Sequence, residues 1–145
     1  MNYNKEIEKN ATYGYAETMH TYEIASTIEK LSSKRIKLGF IKAYGRSTEL
    51  FMNICPSFLS TGKISIDIYL ECDADEYGYE PWAKLSCRHQ ESDQEKLKDY
   101  EFYVKEWSEN ADWIDQMLQF PQFEDTGREL IGHGCPIWRI NPDKC

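Results

Sequence analysis

Cys87-Arg88-His89 and Gly132-His133-Gly134-Cys135 hold two thiols and two imidazoles in mirrored C-x-H and H-x-C pairs. Two thiolates with two imidazoles are a ligand set for tetrahedral zinc. Structural zinc sites space the members of each pair by two or more residues. The one-residue spacing here therefore reads as coincidence among five cysteines and three histidines, and neither a metal nor a cofactor is expected. The same residues could supply a Cys–His nucleophile, with His133 as base to Cys135. A catalytic thiol needs an electropositive pocket to stay ionised. Residues 47–145 carry nine bases against twenty acids, which works against that role.

Carboxylates give two further possibilities. Asp73-Ala74-Asp75-Glu76-Tyr77-Gly78 resembles the opening of a calcium loop, but Tyr77 and Lys84 stand where oxygen ligands are required, so a solvated turn is expected. Asp67, Glu71 and Glu80 could converge on a metal from neighbouring strands, yet the spacing typical of carboxylate nuclease sites is absent around them. Lys30, Lys34, Arg35, Lys37, Lys42 and Arg46 form a basic cluster with only Phe40 and Tyr44 nearby for stacking. Direct nucleic-acid contact is disfavoured.

Positioning comes next. Leu97, Tyr100, Val104, Trp107, Ala111, Ile114 and Leu118 step by three and four residues, which predicts a long helix over about 92–120. Ser92 with Glu95 has capping-box spacing, and Pro121 would stop the helix. On the far face of that helix, Phe102, Trp113, Met117 and Phe120 would line up among Glu106, Glu109 and Asp112. Exposed aromatics amid carboxylates suggest an interface. The expected partner-binding set is therefore Phe102, Glu106, Glu109, Asp112, Trp113, Met117 and Phe120, with Asp73, Asp75 and Glu76 on the acidic loop. The alternative is that other parts of the chain bury this second stripe.

Before the long helix, apolar spacing from Tyr15 to Leu31 predicts a first helix, with Thr12 or Thr18 as cap. Alternation then predicts four strands, through Ile36-Leu38-Phe40, Leu50-Met52-Ile54, Ile64-Ile66-Ile68-Leu70 and Ala83-Leu85-Cys87. Short turns between them imply an antiparallel meander. Pro136 to Ile140 reads as a short strand able to join a sheet edge. The expected fold is α+β, a single domain over 1–145 with a flexible start over 1–14. An antiparallel sheet of about four strands is packed by the N-terminal helix and the long C-terminal helix.

Seventeen bases against twenty-five acids give a net charge of −8, which disfavours binding along phosphate backbones. No apolar run approaches the ~18 residues of a membrane span, and Met1 to Asn10 lacks an apolar stretch of the export type. Five cysteines, an odd number without a C-x-x-C pair, point to reduced thiols in the cytoplasm. The leading expectation is a non-enzymatic acidic inhibitor that neutralises a basic nucleic-acid-handling protein. Immunity proteins against toxic nucleases and phage-encoded anti-defence inhibitors are of this type. Two alternatives differ in class: an acidic secretion chaperone or adaptor acting as a homodimer, and a Cys/His- or carboxylate-dependent hydrolase.

Overall fold

Alternation of β-branched and polar side chains drives the first half of the chain into strands. The computed structural model describes residues 20–56, 63–71 and 78–145. Helix α1 (20–32) leads into β1 (Ile36–Ala43), β2 (Arg46–Pro56), β3 (Ile64–Glu71) and β4 (Tyr79–Lys84). These strands form an antiparallel sheet in the order β1-β2-β3-β4. Ile64, Ile66 and Ile68 are buried and Leu70 packs at the margin of the same core. Helix α1 lays Ile24, Ile28 and Leu31 on it, one side chain per turn. Tyr15 to Met19 and the expected caps Thr12 and Thr18 lie outside the described residues. No helix among the described residues is long and apolar enough to cross a membrane.

One strand departs from its expected pattern. The β1–β2 register shifts between Lys37 and Gly39, so Phe40 turns outward and is exposed, while Ile41 and Ala43 take the inward positions. Gly39 adopts φ +146°, and the ring of Phe120 lies where its Cβ would be, with Cε1 2.8 Å from that position. A side chain here would meet both a strained backbone and a buried ring.

The long C-terminal helix does not exist. Residues 92–120 fold as a one-turn helix α2 (Glu91–Gln94), a strand and two 3-10 turns (Ser108–Asn110 and Ile114–Gln119). Ser92 does not cap α2; Gln90 holds that position without a side-chain bond. Tyr100 at φ 64° and Ser108 at φ 61° are left-handed and interrupt any continuous right-handed helix. Between them, Phe102-Tyr103-Val104 is a run of strand-favouring residues buried on both faces. It belongs to a second antiparallel sheet, built from β5 (Ser86–Cys87), β6 (Glu101–Val104), β7 (Phe123–Leu130) and β8 (Cys135–Ile140) in the order β5-β6-β8-β7. The tail strand is thus internal, not an edge.

The α+β expectation is corrected to a mostly β architecture of two four-stranded sheets, with one helix of seven or more residues among those described. Leu85 joins the sheets: its N–H donates to Ile66 O at 3.0 Å, and its carbonyl accepts from Lys105 N at 2.8 Å. Phe102, Val104, Trp138 and Ile140 share the core of the first sheet. The other face of the second sheet packs Tyr103, Leu130, Cys135 and Ile137 against Leu97 in a separate, smaller cluster.

The free edge of β1 is covered by the second 3-10 turn. A three-residue repeat aligns Gln116 and Gln119 on one side, and Gln122 follows in the turn beyond. Gln116 accepts from Lys42 N and donates to Lys42 O, both at 2.7 Å, as a paired strand would. Gln119 donates to Phe40 O at 3.2 Å and Gln122 to Lys37 O at 3.4 Å. Glutamines thereby occupy backbone groups that would otherwise template edge-to-edge association.

Candidate functional site

The second sheet brings the mirrored Cys/His pairs together. Cys87 lies on β5 and Cys135 opens β8, with β6 between the two strands. In extended backbone, residues i and i+2 share a face, so His89 follows Cys87 onto the same side. Sγ of Cys87 lies 3.6 Å from Sγ of Cys135 and 3.5 Å from Nε2 of His89. All three ligand atoms fall within 4.8 Å of one another. The His89 backbone is fixed by its N–H donating to Oε1 of buried Gln94 at 2.9 Å, and its ring meets Tyr103 edge-on. His133, exposed on the β7–β8 turn, places its ring centroid 5.3 Å from that of His89. Spacing alone predicts coincidence; in the fold, Cys87, His89 and Cys135 converge, and His133 lies alongside without joining the three ligand atoms.

The two thiols differ. The hydrogen bond it shares with Cys135 holds the Cys87 thiol below its usual range, with the nearby Lys105 charge adding to the effect. Cys135 itself is buried, donates to Val104 O, and is pushed far above the usual thiol range by its bond to Cys87 and by burial. Cys55 is raised by burial, and Cys145 is pushed up to about 11 by burial. Cys72 lies outside the described residues.

The residues expected to bind a partner separate into three groups. Phe102, Trp113, Met117 and Phe120 are all buried, Trp113 against Trp82 and with its indole N–H donating to Glu109 O at 2.7 Å. They are core, and the aromatic stripe of an exposed helix is withdrawn with the helix. Glu106, Glu109 and Asp112 are exposed. Asp73, Asp75 and Glu76 fall outside the described residues. The residue that sequence reasoning missed is Trp107. Placed in the core by its spacing, it is 47% exposed instead. Its signal was its setting, Glu106 on one side and Ser108-Glu109-Asn110 on the other, which is poor company for a core residue.

Trp107 stands at a cleft of about 560 Å³ that is also lined by Asp67, Lys84, Arg88 and Lys105. Along the same segment of chain, Glu106, Asp112 and Asp115 are exposed and make no ion pair among the described residues, while Glu109 pairs with Lys105 at 2.8 Å. Buried Asn110 anchors the segment, donating from Nδ2 to Lys84 O at 2.7 Å and to Lys105 O at 2.8 Å. Asp67, Glu71 and Glu80 do not converge as a ligand group with one another. No protein-family model matches the chain, and no curated protein or solved structure matches it.

Proposed function

We propose that this protein is a non-enzymatic, acidic binding protein that docks a basic partner and neutralises it, acting as an inhibitor of a nucleic-acid-handling protein in the cytoplasm. The observation that carries the reading is the exposed segment around Trp107. A large aromatic side chain, the residue type most enriched at binding hot spots, is exposed on a segment that also exposes Glu106, Asp112 and Asp115, none of them in an ion pair among the described residues. The carboxylates steer basic groups toward the segment and fix orientation, while Trp107 supplies the apolar contact that slows dissociation. The burial and raised pKa of Cys135 weigh against Cys135 as the nucleophile of a Cys135–His133 pair, because its thiolate is disfavoured.

Purified chain is tested by light scattering and by affinity capture at low and high salt. The proposal expects a monomer alone and a complex with a basic protein that weakens as salt rises and is lost in Trp107→Ala. A stable homodimer through the Trp107 face, or capture insensitive to salt and to Trp107→Ala, overturns it.

A further inference from the structure

We propose that Cys87, His89, His133 and Cys135 form a structural zinc site that staples β5 to the β7–β8 hairpin. The geometry is specific. Zinc binds thiolate sulfur at about 2.3 Å and imidazole nitrogen at about 2.0–2.1 Å in a tetrahedron, which sets the sulfur–sulfur edge near ~3.8 Å and the sulfur–nitrogen edge near ~3.6 Å. The observed separations are 3.6 Å for Cys87 Sγ to Cys135 Sγ and 3.5 Å for Cys87 Sγ to His89 Nε2. A disulfide would instead require the sulfurs at about 2.05 Å. Two soft thiolates with two imidazoles select zinc over calcium or magnesium, which take oxygen donors. The two thiolate charges also balance that of the ion, and both thiol protons leave to solvent on binding.

His133 is the fourth ligand. Gly132 at φ 88° and Gly134 at φ 63° flank it, and neither has any atom within 4 Å of a would-be Cβ, so the glycines serve backbone conformation rather than packing. The turn is closed by Gly134 N–H donating to Leu130 O at 3.1 Å. A side-chain rotation at an exposed, glycine-flanked position brings an imidazole already 5.3 Å from the His89 ring onto the ion.

The fold has a use for such a staple. Strand β5 contributes only two residues to the sheet, and the face it shares with Cys135 covers a cluster of just five buried side chains. Small cores of this kind gain disproportionately from a metal cross-link. One further contact, Gln94 to the His89 backbone, holds a ligand in place before the ion arrives.

Untagged protein purified without chelator is assayed for zinc by mass spectrometry, for zinc affinity by competition with a chromophoric chelator, and for Tm with and without chelator. The expected result is about one zinc per chain and a Tm that falls when zinc is stripped. Cobalt substitution should give the visible absorption of a tetrahedral thiolate site. His133→Ala, a surface change that leaves the metal-free fold intact, should bind zinc at least roughly tenfold more weakly, and its Tm should respond less to chelator. Cys135→Ser should bind more weakly still. Substoichiometric zinc with no rise in Tm on adding zinc overturns the proposal. So does a native Cys87–Cys135 disulfide, and so does unchanged zinc affinity in His133→Ala, which would leave the site open rather than closed.

Discussion

Glu109 lies 2.8 Å from the Lys105 ammonium on the exposed segment beside Trp107. The hydrogen bond from Lys105, then its own backbone N–H and the Ser108 hydroxyl, hold its carboxyl down to about 2. Because the folded value lies below the ordinary one, the contribution to stability is present above the usual carboxylate range and is lost as pH falls through about 2. Solvent screens this exposed pair, so the effect belongs to titration rather than to a large stability change. A carboxyl-resolved NMR titration should place Glu109 well below the other exposed acids, and Lys105→Met should return it toward them; an ordinary midpoint would show that the pair does not persist. At Gly39, two costs coincide: a Cβ would come within 2.8 Å of the buried Phe120 ring, at a φ of +146°. Gly39→Ala should therefore destabilise by about 1–3 kcal/mol, read as a lower urea midpoint at unchanged slope. An unchanged midpoint would mean that Phe120 does not pack there. Trp107 and Trp113 exchange the roles that spacing predicts for them, one exposed and the other buried. A three- or four-residue step tells which side chains share a face only if the segment is one helix, and at Tyr100 and Ser108 the chain turns left-handed without glycine or asparagine to signal it.

Among the elements, β1 to β3 were legible in the sequence and β6 was not, for a common physical reason. Ile64, Ile66 and Ile68 are buried while Ser65 is exposed and Asp67 half-buried, so a two-residue period is written in the chain. Every residue of β6 is buried, Phe102 and Val104 toward the main core and Tyr103 toward the second cluster, so the period disappears. The 3-10 turn beyond it places Ile114, Met117 and Phe120 inward at intervals of three, which a helical reading absorbs without contradiction. The Cys/His cluster escaped for a related reason: Cys87 and His89 follow a two-residue repeat and His133 and Cys135 flank a left-handed Gly134, neither of which is the longer spacing of familiar zinc pairs. The glutamine cover of β1 is testable at this scale. Gln116→Ala removes both side-chain bonds to Lys42 and should cost about 1 kcal/mol, since water can replace them at this exposed edge. The sharper readout is hydrogen exchange at Lys42 N–H, protected in the parent and fast in the variant. Fast exchange in the parent would show that the 3-10 turn does not lie on the edge.

For the whole molecule, a net charge of −8 disfavours binding along phosphate backbones, and among the described residues Glu101 is the one buried acid. The charge surplus sits in residues 47–145, and the folded chain concentrates part of it on the segment that exposes Trp107. Lys84, Arg88 and Lys105 line the same cleft as Trp107, so a cationic partner is steered by the exposed carboxylates of the segment rather than by the cleft itself. The most direct measurement places a photo-crosslinking phenylalanine analogue at position 107 and irradiates cells that make the protein. Crosslinking to one basic protein is expected, diminished when Glu106, Asp112 and Asp115 are changed to Gln, Asn and Asn, with the variant still folded. Crosslinks only to a second copy of the chain, only to an acidic protein, or to no protein at all would contradict it.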